Sequence, residues 1–223
     1  MAEEERWEVL LARMQTARFF CAAAVLGGAL HVLGGQDNGH QNLSSVERYD
    51  AERSRWELVA PMRQARGGLA AAVLDGRLYA LGGASSLRAS DHLKTVERYD
   101  AERNVWEVVA DMSAKRFGCA AAVLEGKLFV MGGQNAQLQL LSSVEYYEAA
   151  SNEWKQVAPM NKARSYHAAA VWNGRLYVMG GVGIESSVEW YDLERNEWIE
   201  EERLERGLWT GRRFHAAAVA GNS

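Results

Sequence analysis

The chain has 223 residues, 48% hydrophobic and 24% charged, the proportions of an ordinary globular protein. Its net charge of −4, with acids and bases interleaved, offers no basic face for nucleic acid. Two cysteines, Cys21 and Cys119, are too few for a disulfide scaffold and suit a reducing compartment. The acidic opening Met1-Ala2-Glu3-Glu4-Glu5 does not read as a secretory signal, so a cytoplasmic location is expected.

In chain order, an acidic tail over residues 1–6 precedes a predicted strand from Trp7 to Met14. Phe19 to Leu33 is a long apolar run broken by glycines and His31. A membrane span needs about twenty apolar residues, and the matching later stretches carry a polar turn at their middle: Asp75-Gly76, Glu125-Gly126 and Asn173-Gly174. The run is therefore read as two buried strands joined by a hairpin, and no membrane association is expected. Asp-Gly between apolar runs signals a two-residue hairpin, because the tight turn that matches strand twist needs positive φ at both central residues. Nearly continuous apolarity in these strands, rather than alternation, predicts a sheet covered on both faces. Beyond the second strand come a double glycine, a strand ending near a tyrosine, a charged turn, and a strand that opens on tryptophan.

This order recurs. Double glycines stand at Gly34-Gly35, Gly82-Gly83, Gly132-Gly133 and Gly180-Gly181, at spacings of 48, 50 and 48. Each is followed by an aromatic with a glutamate two residues before it: Glu47 and Tyr49, Glu97 and Tyr99, Glu145 and Tyr147, Glu189 and Tyr191. Then come Trp56, Trp106, Trp154 and Trp198, and an arginine that opens an alanine-rich run at Arg18, Arg66, Arg116, Arg164 and Arg212. A period of this length means a repeat architecture. The constellation resembles the kelch repeat, and segments such as Ser45 to Asp50 and Val59 to Arg63 are most similar to the propellers of BTB–kelch proteins.

The resemblance implies an all-β kelch-type propeller over residues 7–220. It has four complete four-stranded blades, in units of about 18–62, 66–112, 116–160 and 164–208. The glycines, tyrosines and tryptophans are its structural anchors, with Tyr99 and Trp106 offered as the rings that fill space beside Gly82 and Gly83. A fifth unit is represented only by strand d at the N-terminus and strand a, Phe214 to Ala220, before a short tail of residues 221–223. The expectation is a piece of a larger propeller whose open blade faces favour self-association. A compact four-bladed ring is the alternative.

Neither a Ser-His-Asp order nor a phosphate loop nor a Cys-x-x-Cys pair is present. Kelch enzymes of the galactose oxidase and nitrile-specifier types hold copper or iron. His167 and His215 share the repeat position filled elsewhere by Cys21, Leu69 and Cys119, but two imidazoles do not close a metal site. No cofactor or metal, and no catalysis, is expected.

Variation between otherwise matching units points instead to binding. It concentrates in the b–c loops, the d–a connections and the residues after each repeat arginine, which share one face in the kelch fold. A protein or peptide partner, its acidic character suggested by the arginines, is expected on that face. Candidate contacts are Phe20, Arg66, Arg116, Arg164, Tyr166, Trp209 and Arg213. The arginines also admit a second reading, as ties within or between blades. The resemblance implies substrate recognition for a cullin-3-type ubiquitin ligase adaptor, with actin binding as the alternative.

Overall fold

The computed structural model describes residues 12–182, 184 and 187–201. These residues form four antiparallel sheets of four strands each. The first holds β1 (Ala22–Leu26), β2 (Ala29–Leu33), β3 (Val46–Asp50) and β4 (Arg55–Val59); the second holds β5 (Ala70–Leu74), β6 (Arg77–Leu81), β7 (Val96–Asp100) and β8 (Val105–Val109). In the third are β9 (Ala120–Leu124), β10 (Lys127–Met131), β11 (Val144–Glu148) and β12 (Glu153–Val157). The fourth comprises β13 (Ala168–Trp172), β14 (Arg175–Met179), β15 (Val188–Asp192) and β16 (Glu197–Glu200). Strand order follows the chain in every sheet, so each is a meander of strands a to d and corresponds to one repeat unit. The tails at residues 1–6 and 221–223, most of the Trp7–Met14 segment, the end of the fourth unit, Trp209, Arg213 and the Phe214–Ala220 segment lie outside the described residues.

The a–b hairpins close as their dipeptides require. Asp75 and Gly76 have φ of 49° and 66°, and Leu74 pairs directly with Arg77 across a two-residue loop. Gly27-Gly28, Glu125-Gly126 and Asn173-Gly174 repeat the geometry. The apolar run from Phe19 is thus β1 and β2, paired from Ala22↔Leu33 to Leu26↔Ala29.

Hydrophobic cores lie between consecutive sheets. Leu33, Val46 and Met62 meet Leu78, Ala80, Tyr99 and Trp106 between the first and second; Leu81, Val96 and Met112 meet Leu128, Val130 and Tyr147 between the second and third. Phe129, Met131 and Met160 meet Leu176, Val178, Tyr191 and Trp198 between the third and fourth. Along β6, Leu78 and Ala80 therefore face one neighbour while Tyr79 and Leu81 face the other. This is the period-two side-chain pattern with both sheet faces covered.

The repeat aromatics stitch each sheet to the one before it. Trp106 Nε1 donates to the Ala60 carbonyl at 2.8 Å, Trp154 to Ala110 at 2.8 Å and Trp198 to Ala158 at 2.9 Å. Tyr99 donates its hydroxyl to Asn104 Oδ1, which also accepts the Ala60 N–H. Asn152 and Asn196 do the same for Tyr147 and Tyr191.

The double glycines receive backbone, not the tyrosine and tryptophan rings. A Cβ on Gly82 would lie 2.4 Å from the Arg116 carbonyl oxygen, and the Gly83 N–H donates to that oxygen at 2.8 Å. Gly34-Gly35 takes the Arg66 carbonyl and Gly132-Gly133 the Arg164 carbonyl in the same way. The expected neighbours of Gly82 and Gly83, Tyr99 and Trp106, pack against the preceding sheet instead, because strands c and d carry them to that interface.

Trp106 is 5% exposed and combines core burial with an inter-sheet hydrogen bond. Trp106→Ala is expected to cost about 3–5 kcal/mol in denaturant titration. A loss below about 1 kcal/mol, the size of one net hydrogen bond, would show that the repeat tryptophan is not an anchor.

Candidate protein-interaction face

The antiparallel registers place the start of strand a, the end of strand b and the start of strand c at one end of every sheet. The d–a and b–c connections therefore share that end, opposite the a–b hairpins and c–d turns. Isolated bridges extend the order into the loops: Phe19 pairs with Gln36 and Gln36 with Asn42, Gly67 with Ala84 and Ala84 with His92, and Phe117 with Gln134 and Gln134 with Leu140. The face is a rigid platform rather than a set of free loops.

At its base lie the repeat arginines, and their side chains do not reach a partner. Arg66, Arg116 and Arg164 are each 0% exposed. Arg66 donates to the Gly82 and Thr95 carbonyls at 2.9 Å each, to Thr95 Oγ1 at 3.0 Å and to Glu97 Oε1 at 2.9 Å. Arg116 binds Gly132, Ser143 and Glu145, and Arg164 binds Gly180, Ser187 and Glu189, atom for atom in the same pattern. Arg18 repeats it with Gly34, Ser45 and Glu47. Burial pulls the Arg66 guanidinium below its ordinary range, opposed by Glu97. The candidacy of Arg66, Arg116 and Arg164 as partner contacts is corrected accordingly: each guanidinium is enclosed and spends its donors inside its own blade.

The glutamates are the other half of this clamp. Their second role is to hold the d–a connection, since Glu97 accepts the Arg63 and Gln64 N–H groups at 2.6 and 3.2 Å. Glu47 does so for Gln15 and Thr16, Glu145 for Ser113 and Glu189 for Asn161. In the sequence these acids stand out only as companions of the tyrosine. Their recurrence in every unit alongside an arginine was the available signal for a paired charge.

Above the clamp sits a run of aromatic rings. The second residue after each repeat arginine is Phe20, Gly68, Gly118 or Tyr166, and all four have positive φ, from 53° to 66°. Their backbones are linked in series: Gly68 N–H donates to Phe20 O, Gly118 N–H to Gly68 O, and Tyr166 N–H to Gly118 O, at 2.7–2.9 Å. The glycines leave room for rings from the next sheet, because a Cβ on Gly68 would lie 2.3 Å from the Phe117 ring and one on Gly118 3.1 Å from Tyr166. The result is a continuous chain of ring contacts, His40–Phe19–Phe20–Tyr166–Phe117–His92, with centroids 4.9–5.8 Å apart. Phe19 and Phe20 remain 37% and 39% exposed. Phe20 and Tyr166, named from sequence, are thus brought together from the first and fourth sheets.

The remaining chemistry-bearing groups point inward. His92 Nδ1 faces the Asn135 carbonyl at 3.0 Å, so it carries the proton, and burial lowers the ring's pKa. Burial pushes the Cys119 thiol up to about 11 and also raises Cys21, which disfavours the thiolate form that would ligate metal. Both cysteines are free. Among the described residues, no three His, Cys, Asp or Glu side chains converge as a metal site, and no helix is long and apolar enough to cross a membrane.

Comparison with known families places residues 2–181 in the KLHDC2/KLHL20/DRC7 Kelch-repeats domain and residues 163–204 in the Kelch motif. The chain belongs to the kelch-repeat family. Its four sheets are kelch blades, and the architecture is a protein-interaction propeller. A solved structure described as "Structure of YjhT" superposes with a TM-score of 0.82 over 96% of this chain and 78% of that one, at 17% identity, and so shows the shared fold alone. Curated protein sequences give no match.

The clamp predicts a double-mutant pattern in this kelch propeller. Arg66→Met and Glu97→Leu should each cost about 3–5 kcal/mol, because each leaves one buried charge unpaired. The double variant should recover much of that loss, since two apolar groups replace the pair. Additive losses in chemical denaturation would show that the two side chains do not act together.

Proposed function

We propose that this chain binds a protein or peptide segment on the b–c/d–a face, with Phe20 and Tyr166 at the centre of the contact. The observation that carries the reading is their backbone. Both hold the left-handed region, at φ of 53° and 54°, where the equivalent residues of the other two sheets are glycine. A bulky L-residue there costs roughly 1–2 kcal/mol, and such strain collects at functional positions. A position that served the fold alone is filled without strain by glycine, as Gly68 and Gly118 show. Aromatic side chains on a rigid platform are the residues that dominate protein interfaces.

The surroundings favour an acidic segment. Arg13, Arg63 and Arg88 are exposed on this face, whereas Asp37 and Asp91 are engaged by their own loops. Leu87 and Leu138, 71% and 59% exposed at the loop tips, add apolar contact. In the finer reading, a cullin-3-type adaptor, the bound segment belongs to the protein presented for ubiquitylation. Trp209 and Arg213 belong to the same proposal on sequence grounds alone. Self-association is a separate proposal, read by the light-scattering mass as concentration rises.

Phe20→Gly separates binding from folding. Relief of left-handed strain offsets the lost ring contacts, so the denaturation midpoint should shift by less than about 1 kcal/mol. Proteins captured from cell lysate by the wild type should be lost with Phe20→Gly and kept with Glu102→Lys on the opposite c–d side. Capture lost only with Glu102→Lys would move the partner to the other face.

A further inference from the structure

The b–c loop of the second sheet departs from its counterparts. In the first and third sheets a single side chain organises the loop tip: Asp37 Oδ1 accepts from the Gly39 and Gln41 N–H groups, and Asn135 Oδ1 from those of Gln137 and Gln139. The second sheet has instead Ser85-Ser86-Leu87-Arg88-Ala89-Ser90-Asp91, with a single 3₁₀ turn at Ala89–Asp91. Ser90 is exposed, and its hydroxyl lies 3.2 Å from Asp91 Oδ1. Two cations stand close to this turn. Arg88, two residues earlier, is exposed and its guanidinium makes no hydrogen bond or ion pair among the described residues. Lys115 reaches over from the third sheet's d–a connection, its Nζ donating to the Ser90 carbonyl at 2.7 Å. The opposing charge is Asp91, whose carboxyl is held below the usual range by the Ser86 and Ser90 hydroxyls, with Arg88 and Lys115 adding to the effect.

We propose that Ser90 is a phosphoacceptor for a serine kinase that reads basic residues, and that Arg88 and Lys115 hold the phosphate once it is transferred. The kinase takes Arg88 as its basic determinant. Ser90 Oγ attacks the γ-phosphorus of ATP, the bond from that phosphorus to the ADP oxygen breaks, and the hydroxyl proton passes to the kinase's base. The product is a phosphoserine ester and ADP. The neighbouring hydroxyls are poorer acceptors: Ser86 Oγ donates to Asp91 Oδ2 at 2.6 Å and accepts the Arg88 N–H, and Ser85 has no basic residue ahead of it in the loop. A phosphate carries about −1.5 to −2 charges at neutral pH. It therefore replaces the Ser90–Asp91 hydrogen bond with repulsion and turns toward the two cations. His92, next to this turn, stacks on Phe117 at 4.9 Å, so the change is delivered to one end of the aromatic run.

The test uses the full chain, ATP and a purified basophilic serine kinase, with the products mapped by mass spectrometry. One phosphoryl group is expected on Ser90, absent from Ser90→Ala and added about tenfold more slowly to Arg88→Ala, the loss of one charge-assisted contact. Arg88→Lys should restore the rate. Lys115→Ala should be labelled at the wild-type rate, yet a non-specific phosphatase should strip its phosphate faster than the wild type's. Thermal melts confirm that each variant is folded. No label on the folded wild type, or an Arg88→Ala rate equal to the wild type's, overturns the acceptor assignment. Equal phosphatase rates overturn the holding role of Lys115. None of these readouts depends on a partner binding the mouth face.

Discussion

Each blade is held by an arginine that works through two different parts of itself. Its guanidinium binds strand b's end, strand c's start and the strand c glutamate of its own sheet. Its carbonyl lies in the double glycine of the preceding sheet. One residue per unit thus couples internal order to inter-sheet order. The close approach explains why both glycines are needed: no side chain fits where Gly82 meets the Arg116 carbonyl. The glutamate completes the arrangement by tying down the d–a connection that delivers the arginine. Charges this deeply buried are tolerable because all five guanidinium N–H groups of Arg66, Arg116 and Arg164 are met by oxygen.

The same economy shapes the interaction face. Since the arginines are consumed by the clamp, what the proposed interaction face offers to solvent is the set of residues mounted on it, Phe19 and Phe20 of the aromatic run among them. Two of its members are held in a backbone region that glycine fills elsewhere in the fold. Backbone hydrogen bonds from Gly68 to Phe20 and from Tyr166 to Gly118 hold both residues in that region.

The hairpins and strand order were legible because turn dipeptides and period-two apolarity act locally and recur four times. Tyr and Trp stood out by the same recurrence, although Ala60, the residue that Trp106 and Asn104 both bind, lies across an interface that sequence does not display. Recurrence also misleads. Arg66, Arg116 and Arg164 looked equally suited to a ligand ring and to a structural tie, and only burial and the pairing with Glu97, Glu145 and Glu189 distinguish them. Phe20 and Tyr166 stood out because they differ from their counterparts, but their left-handed backbone and mutual contact depend on three hydrogen bonds between sheets. Such bonds join residues about fifty apart, beyond the reach of any local pattern.

The cores lie between sheets, each drawing its residues from two consecutive units. No blade has a private interior. Stability is then a nearest-neighbour quantity, set by pairs of units rather than by units, and a lesion in one blade weakens both of its interfaces while leaving more distant ones intact. Damage to the second sheet would reach two of these cores at once, and so would damage to the third.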